Sequence, residues 1–178
     1  MQLTLVPHPS CLPADPQFKV WASVDHAASF GATATTNIWF GVSAPASRFV
    51  IPEASEQRRA DELWKTTCFE AFLRVEGGDS YREWNFAPSG QWAAYDFAAC
   101  RTDMAPAEVT VPPYVRMEDN LTWWAFGATI GVDAAAKWQL GLSAVLEEQD
   151  GTKSYWALAH PSDRPDFHHP DCFVARLA

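Results

Sequence analysis

Glu70, Arg74, Glu83 and Asn85 are the residues of this 178-residue chain whose types and spacing could do chemistry together. They fall on two segments with alternating character, 67 to 75 and Tyr81 to Ala87, separated by Gly77-Gly78-Asp79-Ser80. A four-residue loop there predicts a hairpin that pairs Glu76 with Tyr81, and so Arg74 with Glu83, Phe72 with Asn85 and Glu70 with Ala87, on one face. The other face gathers Phe69, Ala71, Leu73 and Val75 with Arg82, Trp84 and Phe86, and its apolar majority predicts contact with the core. Trp64 lies just upstream with the parity of the polar set. Carboxylate, amide and guanidinium groups beside an aromatic face suit a hydroxylated ring, whose axial C–H groups meet the aromatic plane. Its hydroxyls donate to carboxylates and accept from amides and guanidinium. Trp64, Glu70, Asn85 and Arg74 or Arg101 supply those partners, in binding roles without bond breaking.

Each residue also has a plainer reading. Trp64 fits the rim of a core equally well. Glu70 is more informative, because a carboxylate on an otherwise apolar strand is costly to bury unless paired. A structural pair with Arg58, Arg59 or Arg101 is its alternative. Asn85 could satisfy a loop backbone. Trp84 belongs by parity to the core, and Trp123 and Trp124 point to opposite faces.

His160, His168, His169, Asp166, Asp171 and Cys172 are close in sequence and invite a metal reading, which needs three or four ligands at about 2.0 to 2.3 Å. Extended backbone at His168 and His169 turns the two imidazoles apart, and no His-Glu-x-x-His occurs. The expectation is a loop tied down by His and Asp hydrogen bonds, with His160 or His168 reaching the ligand cup. Glu70 and Glu83 on neighbouring strands also approach a glycosidase pair, which needs carboxyls about 5 to 9.5 Å apart. Gly-x-Ser-x-Gly, phosphate loops and dinucleotide fingerprints are absent, so no catalytic residue is assigned.

The elements that must position these groups read as strands. Thirteen prolines and nine glycines divide the chain into strand-length segments. Trp138, Leu140, Leu142, Ala144 and Leu146 alternate with polar or small neighbours, as do Thr36, Ile38, Phe40 and Val42, and Phe173, Ala175 and Leu177. Leu121 to Ile130 is apolar on both faces and predicts a central strand. Gln149-Asp150-Gly151-Thr152 is a turn joining Ser143–Glu148 to Ser154–Ala159. Residues 61 to 75 also fit a helical stripe, but the β-branched and aromatic content of 67 to 75 favours extended backbone.

Composition narrows the function. The formal net charge is −9, which repels phosphate backbones and anionic lipid, so neither nucleic acid nor membrane is an expected partner. Aromatic residues are abundant, with nine Trp, eleven Phe and four Tyr. A chain of this length buries on the order of 70% of its unfolded surface and holds a core without disulfides or metal. Met1 to Pro9 has no basic residue and is broken by prolines, unlike a secretory signal. The uncharged stretch Ala27 to Ser47 reads as a strand pair and not a membrane span. Cys11, Cys68, Cys100 and Cys172 lie far apart without C-x-x-C. Reduced cytoplasmic thiols are the expectation, two disulfides in an exported domain the alternative.

Glu62-Leu63-Trp64-x3-Cys68-Phe69-Glu70-x-Phe72-Leu73 followed by Tyr81-x-x-Trp84-Asn85-Phe86-x-Pro88-x-Gly90 resembles the DOMON-like superfamily and the related family 9 carbohydrate-binding modules. Tyr155 to Pro161 and Pro165 to Phe173 are similar to segments of an uncharacterised bacterial DOMON-like branch. The resemblance runs from about residue 36 to the end. It implies a β-sandwich of two antiparallel sheets, one curved around a ligand site, with sugar bound in some members and haem in others. It also implies that Trp64 and Glu70 act as a stacking aromatic and its acidic partner, that Asn85 supplies an amide, and that Trp156, or alternatively Phe167, provides a late aromatic. Glu83 stands where sugar-binding relatives carry Arg, a departure from their specificity.

The expectation is therefore an all-β, antiparallel sandwich with little helix, residues 1–178 forming one domain that binds a small saccharide or sugar-like metabolite non-catalytically. Two alternatives accompany it: a haem module with Met104, Met117 or a His as axial ligand, and a partner-binding aromatic cup. A calcium ion bracing a loop, as in some relatives, is left open, as is the oligomeric state.

Overall fold

The computed structural model describes residues 1–13, 15, 17–27 and 32–177. Its described residues form twelve strands: β1 (Gln2–Pro7), β2 (Val20–Ala27), β3 (Thr33–Val42), β4 (Cys68–Val75), β5 (Tyr81–Phe86), β6 (Trp92–Phe97), β7 (Ala105–Pro106), β8 (Tyr114–Asp119), β9 (Trp124–Asp133), β10 (Trp138–Glu147), β11 (Lys153–Ala157) and β12 (Ala175–Leu177). The described helix consists of three single 3-10 turns. Every strand pair is antiparallel.

The strands form two layers. The first sheet runs β1-β2-β3-β9-β8; the second runs β7-β6-β5-β4-β10, with β11 and β12 sharing the far edge of β10. β1 belongs to both: Gln2 to Leu5 pair with β2, and Val6 and Pro7 pair with β11. The hydrogen-bonded surface therefore curls around at β1 into an all-β sandwich. Between the layers, Phe69 of β4 stacks on Phe40 of β3 at 4.8 Å and on Phe126 of β9 at 5.1 Å. Ala71, Leu73, Trp84 and Phe86 join the same core, the face their parity predicts. Trp124, the first residue of β9, is fully buried, while Trp123 before it is exposed.

The β4–β5 register departs from the expected one by two residues. Glu70 pairs with Asn85, Phe72 with Glu83, and Arg74 with Tyr81. Arg74 is the last β4 residue to pair with β5, and Glu76 to Ser80 form the loop, because the Gly78 N–H closes a turn onto the Val75 carbonyl, with Gly77 at φ 82°, and the Glu76 N–H donates to the Lys137 carbonyl instead of facing Tyr81. A shift of two preserves parity, so each side chain keeps its face.

Two further expectations change. The strand placed at 121 to 130 begins at Trp124, because Asn120 Oδ1 accepts the N–H groups of Thr122 and Trp123 and holds 121–123 in the β8–β9 turn. Ala27 to Ser47 is not a strand pair of its own: 33–42 form β3, whose hairpin partner is the upstream β2. Residues 28–31 lie outside the described residues. All four cysteines are free. No described helix is long and apolar enough to cross a membrane.

Candidate functional site

The outer face of the second sheet carries Cys68, Glu70 and Phe72 on β4, Tyr81, Glu83 and Asn85 on β5, Tyr95 and Phe97 on β6, Ser143 and Val145 on β10, and Tyr155 on β11. Three loops lie over it. The first contains the 3-10 turn Leu63–Lys65, entered through Glu62 in the left-handed region at φ 61°, which sets Trp64 at the rim. The second holds Arg101 and Asp103 at φ 53° and 52°, conformations costly for side-chain-bearing residues. The third brings Pro165, Phe167 and His168. Leu63, Phe72, Tyr81 and Phe173 form a second, smaller apolar cluster that anchors these loops to the sheet.

A hollow of about 400 Å³ remains under the loops, a size suited to a small ligand. Its floor is Glu70 and Glu83; Arg101 and His168 form one wall, and Trp64, Tyr155 and Phe167 supply aromatic surface. Trp64 is 36% exposed at the mouth and meets Tyr95 edge-on, ring centres 6.0 Å apart.

The floor is electrostatically unusual. Glu70 is only 3% exposed and Glu83 5%. Ser143 Oγ donates to Glu70 Oε2 at 2.7 Å, and Asn85 Nδ2 donates to Glu83 Oε1 at 2.6 Å. Burial, then the neighbouring Glu83 charge, pushes the Glu70 carboxyl up to about 8, against the opposing pull of the Ser143 hydrogen bond. Burial likewise raises Glu83. Glu70 is therefore largely protonated near neutral pH and can donate a hydrogen bond.

The wall is held by a hydrogen-bond chain. The Arg101 backbone N–H donates to the Tyr81 hydroxyl at 3.2 Å, and that hydroxyl lies 2.6 Å from His168 Nδ1. The network assigns the phenol proton to Nδ1, leaving Nε2–H directed at Glu83 Oε2, 3.6 Å away. Burial, then the Arg101 charge, lowers His168 to about 4, so this imidazole is neutral and its contact with Glu83 is polar, not ionic. Arg101 itself is bound to Asp166 Oδ1, through Nη2 at 2.8 Å and Nε at 3.2 Å.

Of the sequence-derived candidates, Trp64, Glu70, Glu83, Arg101, Phe167 and His168 line this hollow. Four do not. Asn85 is fully buried behind it, donating to Glu83 and lying 3.8 Å from the Cys68 thiol. Arg74 shares the face but bonds Gln139 at 2.9 Å and stacks on Phe173 at 4.4 Å. Trp156 faces the sandwich core, 5.1 Å from Phe18, its indole N–H on Ser154. His160 Nε2 bonds the Val6 carbonyl at 2.9 Å, and its ring meets His8 edge-on. Tyr155 takes the place given to Trp156, because Val145 pairs with Tyr155 and Ala144 with Trp156. Sequence parity held that signal, given the length of the preceding turn. Arg59, a suggested structural partner of Glu70, instead donates to the Ala107 and Ala94 carbonyls.

Met104, one suggested haem ligand, lines the hollow, while Met117 is on β8 of the opposite sheet, packed against the core. Among the described residues no three His, Cys, Asp or Glu side chains are arranged to hold a metal ion. A larger hollow, about 610 Å³, opens at one end of the sandwich near Val75, Trp84 and Val132. Of its charged residues, Arg82 and Asp96 are bound to each other at 2.7 and 2.8 Å, and Glu108 and Asp133 also line it.

No family model matches this chain, nor does any curated protein. Two solved structures share its fold. One, from Bacteroides uniformis, is described provisionally as a carbohydrate-binding protein. It is 15% identical with a TM-score of 0.64, over 97% of this chain and 83% of that one. The other is a family 9 carbohydrate-binding module from Caldicellulosiruptor kristjanssonii in complex with glucose, 8% identical with a TM-score of 0.57, over 97% of this chain and 82% of that one.

Proposed function

We propose that the chain is a non-catalytic saccharide-binding domain of the DOMON-like type and that the hollow over Glu70 and Glu83 is its ligand site. The observation that carries this reading is the joining of a buried carboxyl floor to an aromatic rim in one ligand-sized opening. Trp64, Tyr155 and Phe167 give C–H faces of a sugar ring somewhere to stack. Below them, protonated Glu70 donates to a hydroxyl oxygen, while Glu83 and Arg101 offer an acceptor and a donor. The likeness in fold to two structures described by carbohydrate binding accords with the same reading. Asn85 and Tyr81 act as positioning residues, the first on Glu83 and the second on His168.

Titration calorimetry with monosaccharides and short oligosaccharides tests the proposal. At least one sugar is expected to bind, and Trp64→Ala is expected to weaken it at least tenfold without unfolding the protein. Sugar binding that survives Trp64→Ala and Tyr155→Ala unchanged would place the ligand elsewhere.

A further inference from the structure

We infer that this hollow selects a saccharide bearing a positive charge, an amino sugar whose ammonium group sits on Glu70 and Glu83 with the aromatic rim beside it. The inference rests on the saccharide reading and narrows it to a ligand class. Its basis is a charge count. Two carboxyls form the floor, and the groups that meet them directly are neutral donors: the Ser143 hydroxyl, the Asn85 amide and a neutral imidazole. The Arg101 charge reaches both from the wall, one cation against two carboxyls. The second oxygen of Glu70 makes no hydrogen bond among the described residues, and its side chain is almost wholly removed from solvent while lining the hollow.

The cations nearby are already matched. Arg101 is the one basic side chain other than His168 among the described lining residues, and its guanidinium is bound to Asp166. Lys65, next to Trp64, pairs with Glu62 at 2.7 Å, and Arg82 on β5 pairs with Asp96. The hollow thus has more acid than base. Buried carboxyls in that position must keep a proton or acquire a cation. A neutral sugar leaves the proton on Glu70; an ammonium replaces that proton with an ion pair. The rim suits the same ligand, since Trp and Tyr faces attract cations through their ring quadrupoles. The net charge of −9 adds a long-range pull of the same sign.

The test compares sugars that differ only in this charge. Glucosamine, galactosamine, their N-acetylated forms, glucose and galactose are titrated at pH 7, with tetramethylammonium as a cation lacking a sugar ring. At least one amino sugar is expected to bind tenfold or more tightly than both its neutral parent and its N-acetyl form, a ratio that falls towards one in Glu83→Gln. Thermal melting confirms that the variant is folded; Glu70→Gln gives a second test, and the ratio in the unaltered protein decides alone if neither folds. Equal affinity for charged and neutral sugars overturns this inference and leaves the saccharide reading standing. Binding of tetramethylammonium and amino sugars alike, displaced by one another and without preference for the ring, upholds a cation site and removes the saccharide reading. No binding by any of these probes overturns this inference, and no binding by the short oligosaccharides either overturns both.

Discussion

The two outer faces of the sandwich both carry tryptophan, yet among the described residues only one encloses a hollow floored by carboxyls. On the first sheet, Trp21 lies over Gly41 and Trp39 over Gly127, each on the neighbouring strand. A Cβ at Gly41 would stand 2.2 Å from the Trp21 ring, and one at Gly127 2.9 Å from the Trp39 ring. These indoles cover glycine backbone. Arg116 stacks over Trp39 at 4.3 Å, and Thr129 Oγ1 donates to Asn37 at 2.7 Å, so aromatic and polar groups alike find partners within the face. On the second sheet, loops raise walls around Glu70 and Glu83 and leave space above them. Aromatic surface is common to both faces. The candidate site is distinguished by enclosure and by carboxyls whose interactions the protein leaves incomplete.

The largest expected effect comes from the interior between the faces. Trp84, 3% exposed and within 6.1 Å of Phe86 and 6.0 Å of Trp92 by ring centres, belongs wholly to the core. Trp84→Ala is expected to cost about 3 to 5 kcal/mol in urea denaturation. A loss under about 1 kcal/mol would mean that β5 presents its other face inward, and the division into core and site faces would fail.

The next largest effect concerns the carboxyl floor and depends on pH. Glu70 holds its proton to about 8 in the fold, whereas an unfolded carboxyl releases it near 4.5. Its favourable contribution is therefore complete below about 4.5 and is lost as pH rises towards 8. Glu83 adds a contribution of the same sign. His168 acts oppositely: with its folded value near 4 against 6.5 unfolded, stability is complete above about 6.5 and lost as pH falls towards 4. Glu70→Gln has no such proton to lose. Its stability relative to the unaltered protein is expected to rise between pH 4.5 and 8 by on the order of a few kcal/mol. A difference that stays flat with pH would show a solvated Glu70 and make the second face as ordinary as the first.

The sequence made this contrast partly legible. Alternation along β4 and β5 assigns Glu70 and Glu83 to one face and Trp84 to the other, and that assignment survives the two-residue difference in register because two is the period of a strand. Trp156 shows the limit. The turn between β10 and β11 holds five residues, Glu148 to Thr152, where the Asp-Gly signature spans four. One residue reverses the face of everything after it, and so Tyr155 lines the hollow while Trp156 packs inside. Asn85 has site-face parity but lies a layer below the opening, a depth that alternation does not encode. Arg101 and His168 reach the wall through left-handed backbone and a shared tyrosine hydroxyl, interactions between segments far apart in sequence.

Two smaller effects sharpen the comparison directly. Trp64→Ala is expected to weaken saccharide binding at least tenfold, about 1.4 kcal/mol, while lowering stability by no more than about 1.5 kcal/mol, the range of its edge contact with Tyr95. Paired calorimetry and denaturation measure both; a stability loss as large as that of Trp84→Ala would make Trp64 a core residue.

Gly41→Ala tests the opposite face. The three atoms nearest the added methyl all belong to the Trp21 ring, a side chain at a partly exposed position. The cost is expected to be about 1 kcal/mol, at the low end of overpacking because the ring is only partly buried. Since the first sheet's tryptophans serve backbone cover and not ligand, displacing Trp21 is expected to leave saccharide affinity unchanged in the same titration that reports on Trp64. An affinity loss matching that of Trp64→Ala would show that the open face takes part in binding, and enclosure would no longer separate the two.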